Sequence, residues 1–160
     1  MLKQVRQRKP SATGGHFAIV ASRYNDRYVT ALLRGAQTEL RQAQATARVV
    51  RVPGAYEIPV VAKALARRAG AQLDGIICLG VILRGETAHA AHIGEAVSTA
   101  LMQIQLEHEM PVIHEVLLLE NVDQARKRCL DPRHNRGREA AQTALAMAAV
   151  MRSLRNDLPI

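Results

Sequence analysis

Two rhythms of apolar residues alternate along this chain. Short apolar runs fall at 16–22, 46–52, 74–81 and 111–119, and each precedes a stretch of helical spacing. The run Ile76-Ile77-Cys78-Leu79 has no polar position, and Val81, Ile82 and Leu83 continue it, the pattern of a strand covered on both faces. Val29, Leu32, Leu33, Ala36 and Leu40 recur at the helical period and predict a helix from a cap at Asn25 or Asp26 to about Gln42. Ile58, Val61, Ala62 and Leu65 predict a second helix, from about Tyr56 to a stop at Gly70. A third is expected from a cap at Thr87 to about Glu109, with Ile93, Val97, Ala100, Leu101 and Ile104 on one face. Beyond the fourth run, 121–129 reads as a short helix, Asp131-Pro132 as a break, and 138–154 as a final alanine-rich helix.

Four strand–helix alternations, with helices long enough to be crossovers, predict the α/β class. The expected form is a four-stranded parallel sheet between two helix layers, a flavodoxin-like three-layer α/β/α sandwich. The 160 residues suffice for one domain, 16–160, preceded by a flexible basic arm, 1–15. Functional loops of such a sheet gather at the carboxyl ends of its strands.

Composition narrows the function classes. Aromatic residues make up 2% of the chain, with no Trp, so a stacking platform for single-stranded nucleic acid is not expected. The net charge of +8 comes without zinc-finger spacing or an RNA-recognition signature, and is assigned to solvated surface and phosphate binding. Cys78 and Cys129 lack CxxC spacing and predict reduced thiols in a cytoplasmic protein, with no disulfide framework and no metal site. The basic N-terminus lacks a signal peptide's apolar stretch, and no window reaches membrane-spanning length.

Candidate chemistry sits where strands end. Arg84-Gly85-Glu86-Thr87-Ala88-His89 puts glycine, then a capping threonine, then a titratable imidazole at the start of a helix. Free N–H groups and the positive helix end there would attract a phosphate, with His89 beside it to move protons. Gly80 and Gly85 would let the backbone turn or approach a ligand closely. Val52-Pro53-Gly54-Ala55-Tyr56-Glu57-Ile58-Pro59 brackets Tyr56 and Glu57 between prolines, with Glu57 directed to the same cleft as a hydrogen-bond acceptor. Tyr24 and Asn25 could stack on a heteroaromatic ring and bond its edge. His92 and His108 are assigned to ordinary helix surface, and the i, i+3 spacing of His89 and His92 lacks a third ligand for zinc. Neither GxGxxG nor GxxxxGK[ST] occurs.

RYND, VPGAYEIP, LGVILRGETAH, and PVIHEVL followed by NVDQA stand in one ordered series. From about Phe17 to Met151 this series resembles the 6,7-dimethyl-8-ribityllumazine synthase family of riboflavin biosynthesis. The resemblance implies a cofactor-free condensation of 5-amino-6-(D-ribitylamino)uracil with 3,4-dihydroxy-2-butanone 4-phosphate, giving the lumazine and phosphate. It also implies roles. Tyr24 would stack on the pyrimidine, with Asn25 nearby. Ala55, Tyr56 and Glu57 would hold the ribityl chain, with Gly54 also at the substrate, and the backbone of Val81, Ile82 and Leu83 would hold the uracil edge. Glu86 and Thr87 would cradle the phosphate, with Arg128 binding it and Arg136 keeping the charge at the family's lysine position. His89 matches the proton-transferring histidine, and His114 the residue closing the ring pocket from an adjacent subunit. Pentamers are implied, with a shell of about 60 subunits in some members. The chain departs from the family pattern at Ala90 and Ala91, where an aromatic residue and an acid are usual, and at His114, where Phe or Trp is common. These departures leave open an alternative, a low-activity paralogue that binds flavin or lumazine or forms a shell.

Overall fold

The computed structural model of the chain describes residues 14–69 and 72–157. Four strands, β1 (His16–Ser22), β2 (Thr46–Val52), β3 (Gly75–Leu83) and β4 (Val112–Leu119), form one parallel sheet in the order β2-β1-β3-β4. Five helices connect or follow them: α1 (Asp26–Gln42), α2 (Ile58–Ala69), α3 (His89–His108), α4 (Val122–Ala125) and α5 (Arg136–Asp157). The expected α/β sandwich with a four-stranded parallel sheet is the architecture found.

Strand alternation sorts the apolar residues into two cores, one on each face of the sheet. Phe17, Ile19, Ala21, Ile77, Leu79 and Val81 face α1 and α5, with Leu32, Leu40, Ala141 and Leu145. Ala18, Val20, Ile76, Cys78 and Ile82 face α2 and α3, with Ile58, Ala62, Val97 and Leu101. β3 is buried along nearly its whole length because both cores need it, which accounts for its unbroken apolar sequence. In-register pairing runs from Ile76 opposite Val112 to Leu83 opposite Leu119, so β3 and β4 end together.

Several boundaries differ from those expected. β3 extends to Leu83, and a 3-10 turn, Ala55–Glu57, precedes α2. Gly70, the predicted stop of α2, lies outside the described residues. α3 begins at His89; Ala88 precedes it, and the Thr87 hydroxyl only grazes the His89 N–H at 3.4 Å. The short helix 121–129 is α4 followed by a π turn, Arg126–Leu130, closed by the Asp131 N–H donating to the Arg126 carbonyl. α5 starts two residues early because Asn135 caps it, its Oδ1 accepting the Arg138 N–H at 3.1 Å. Of the predicted arm, 1–13 lies outside the described residues. Gly14 is tied down, its N–H donating to the Ala43 carbonyl at 2.6 Å, and the Gly15 carbonyl accepts from Thr46.

Candidate functional site

The carboxyl ends of β1 and β2 are stitched together by backbone. The Arg23 N–H donates to the Val52 carbonyl, and the Tyr24 N–H to the Pro53 carbonyl at 3.0 Å. Asn25 does not cap α1 with its side chain. It adopts the left-handed conformation, φ 57° and ψ 40°, and its Nδ2 donates to the Val81 carbonyl at 2.8 Å. Asparagine tolerates that backbone better than most residues, so one side chain both makes the turn and anchors it to β3. Gly54 leaves room for two neighbouring side chains. A Cβ there would lie 2.8 Å from Glu57 Oε2 and 3.0 Å from the Tyr24 ring. The Gly54 N–H donates to Glu57 Oε2 at 2.8 Å, which fixes the carboxylate at the head of the 3-10 turn.

These loops and α3 enclose a cleft of about 700 Å³. Of the residues singled out in the sequence, Tyr24, Asn25, Gly54, Ala55, Tyr56, Glu57, Val81, Ile82, Leu83 and His89 line it together. They come from three separate motifs, brought together by the parallel topology. Tyr24 and Tyr56 are 71% and 62% exposed, so one side of the cleft is open in the single chain. Three lining residues were not anticipated: His92, Ile93 and Ala96. Their signal was present, since they follow His89 at i+3, i+4 and i+7 on one helix.

The turn from Arg84 to Ala88 joins two lining residues, Leu83 and His89, but Glu86 and Thr87 do not line the cleft. Arg84 is held by Glu120, its Nη1 donating to the two carboxylate oxygens at 2.9 and 3.1 Å. Gly85 meets open space where a Cβ would stand, so nothing among the described residues demands glycine there. At Gly80 the close neighbours are Val116 and Ile58, which makes that glycine a packing requirement.

His114, Arg128 and Arg136 lie away from the cleft of their own chain. His114 is exposed on β4 and bonds Ser98 Oγ through Nε2 at 2.8 Å. Ser98 donates its single proton to the Gly94 carbonyl, which assigns the hydrogen of that contact to Nε2. Arg128 projects from the π turn, exposed and with no hydrogen bond or ion pair among the described residues. Its neighbour Cys129 is buried in the core on the α1–α5 face, so Arg128 stands across the sheet from the cleft.

Arg136 differs. Its Nε donates to the buried carboxylate of Glu115 at 2.8 Å, and Nη1 pairs with Glu139. Burial pushes the Glu115 carboxyl above the ordinary glutamate range, against the pull of Arg136. Burial works against the Arg136 charge too, but the bond and charge of Glu115, then Glu139, outweigh it and raise its pKa. Arg136 is therefore already neutralised by two carboxylates.

Burial pushes the Cys78 and Cys129 thiols up to about 12, leaving both as inert core groups. Among the described residues, no three His, Cys, Asp or Glu side chains gather as a metal site requires, and no helix is long and apolar enough to cross a membrane.

Residues 14–152 match the family described as 6,7-dimethyl-8-ribityllumazine synthase. Proteins bearing that name from Methylocella silvestris, Salinibacter ruber and Clostridium kluyveri are similar to this chain. The first is 38% identical over 145 residues, covering 89% of this chain and 88% of its own. The second is 40% identical over 144 residues, covering 88% and 91%. The third is 36% identical over 154 residues, covering 94% and 99%.

Proposed function

The chain belongs to the 6,7-dimethyl-8-ribityllumazine synthase family, and from that premise we propose how its residues share the reaction. The enzyme is a transferase of riboflavin biosynthesis. It condenses 5-amino-6-(D-ribitylamino)uracil with 3,4-dihydroxy-2-butanone 4-phosphate to give 6,7-dimethyl-8-ribityllumazine and phosphate. The observation that carries the assignment of roles is the convergence of three sequence motifs on one cleft.

In our reading the pyrimidine stacks on Tyr24, with Asn25 close by. The ribityl hydroxyls meet Glu57 and the turn Gly54–Ala55–Tyr56, and the uracil edge bonds the backbone of Val81, Ile82 and Leu83. Glu86 and Thr87 present N–H groups to the phosphate at the start of α3. The amine attacks the ketone, and loss of water gives an imine. Phosphate then leaves, and the second amine closes the ring with loss of another water. Each step moves a proton, which His89 carries from the head of α3. Holding both reactants in register supplies much of the acceleration.

Arg128 is the phosphate ligand in this scheme. It makes no hydrogen bond or ion pair among the described residues, whereas Arg136 is committed to Glu115 and Glu139. Since Arg128 and His114 do not line the cleft of their own chain, we assign them to the cleft of a neighbouring copy. The open side at Tyr24 and Tyr56 supports this, as do the exposed apolar side chains Val60, Met102 and Leu106 on α2 and α3. The assembly is then a homopentamer with sites between subunits, and we favour a shell of about 60 subunits as its higher form. Two buried free thiols fit a reducing, cytoplasmic setting.

The test is direct. Purified protein mixed with both reactants should form a product with lumazine absorbance that requires both. Absence of that product from folded protein refutes the assignment.

A further inference from the structure

Two imidazoles, not one, face the cleft. His92 lines it together with His89, one turn further along α3 and next to Ile93 and Ala96. Three residues of helix displace the second ring by about 4.5 Å along the axis, away from the helix start where the phosphate would sit. Neither ring has a hydrogen-bond partner among the described residues. His92 is thus an exposed polar group in an otherwise largely apolar stretch of wall, and no ion pair or cap among the described residues accounts for it.

The chemistry asks for proton transfer at two separated places. Phosphate loss occurs at one end of the assembled intermediate, beside His89. Ring closure and the second dehydration occur at the end where the two nitrogens of the uracil meet the four-carbon unit. A single imidazole fixed at the head of α3 is poorly placed to serve both.

We propose that His92 is a second catalytic residue, serving the final dehydration. This rests on the lumazine synthase reading of the cleft. The His92 imidazolium gives a proton to the hydroxyl of the ring-closed carbinolamine, the C–O bond breaks, and water leaves. The conjugated ring system releases an N–H proton to the imidazole, which ends the cycle as it began. Proton and charge balance without any further reactant.

The experiment compares the assembled wild-type enzyme with His92→Ala and His92→Gln in the two-substrate absorbance assay, with and without free imidazole. Circular dichroism reports on folding; His92 is exposed, so both variants should fold. The expected result is a fall in kcat of about tenfold to a thousandfold in both variants. KM for both reactants should stay within about threefold, and imidazole should restore part of the His92→Ala rate. A kcat within about twofold of wild type, a change confined to KM, or a loss that imidazole does not relieve overturns the proposal. An inactive wild type overturns the reading of the cleft as a working lumazine synthase site, and the proposal with it; an active wild type with unaffected variants overturns the proposal alone.

Discussion

His89 and Glu115 show what a residue type discloses and what it conceals. An imidazole after a glycine turn suggests a proton carrier, and the chain brings it to the cleft. His89→Ala should slow turnover by about tenfold to a thousandfold, the scale of losing one proton-transfer group. Unchanged turnover in the absorbance assay would remove it from the mechanism. By type, Asn25 or Asp26 suits a helix cap; the Asn25 side chain bonds Val81 instead, a partner 56 positions away that local pattern cannot name. Glu115 was invisible, because a carboxylate in a strand looks solvated until α5 covers it. Its raised pKa has a consequence for stability. As the pH rises from about 4.3, the unfolded chain gives up the Glu115 proton before the folded chain does, so stability falls until the folded-state value is passed. Lowering the pH from 7 to about 5 should therefore stabilise the wild type relative to Glu115→Gln, which cannot titrate. Denaturant unfolding of the two proteins at both pH values measures this, and a constant difference would contradict it.

The elements were more legible than their ends. Strand and helix identity followed from periodicity, since a buried parallel strand and an amphipathic crossover helix leave unlike patterns. The termini were misplaced where a distant group decides them. Asn135 caps α5 while its Nδ2 donates to the Ala31 and Cys129 carbonyls, so the start of α5 is set by contact with α1 and the π turn. The same contact explains Gly137. A Cβ there would overlap the Leu32 carbonyl, and α1 and α5 share a buried core that cannot separate cheaply. Gly137→Ala should destabilise the protein by about 3 kcal/mol or more, despite the better helix propensity of alanine. Gly85→Ala, placed in open space, should shift stability by less than about 0.5 kcal/mol. Thermal or denaturant melts of the two variants separate packing from turn geometry. Equal effects would refute the account of α1–α5 contact.

At the scale of the molecule, the resemblance already places His114 in a neighbour's pocket, and in our proposal Arg128 joins it there. Order along the sheet explains why. The cleft forms over β1, β2 and β3 beside α3, while Arg128 follows β4 on a turn anchored in the opposite core. A site completed by a neighbour takes His89 from one copy and Arg128 from the next, and this can be tested by mixing. His89→Ala and Arg128→Ala chains, co-refolded in equal amounts, should each be poor enzymes alone at limiting butanone phosphate. In mixed rings a site is intact when an Arg128→Ala chain supplies the cleft and a His89→Ala chain supplies the arginine. Random placement makes that about one site in four. Activity should therefore recover to roughly a quarter of wild type, far above the mean of the two parents. If both residues served the cleft of their own chain, every site would carry one defect and mixing would restore nothing. The Arg128→Ala chain alone should lose affinity for the butanone phosphate far more than for the uracil, because in our proposal the guanidinium meets only the phosphate. Recovery on mixing together with that selective loss would fix the arginine in the neighbour's cleft, and equal loss for both reactants would remove it from the phosphate.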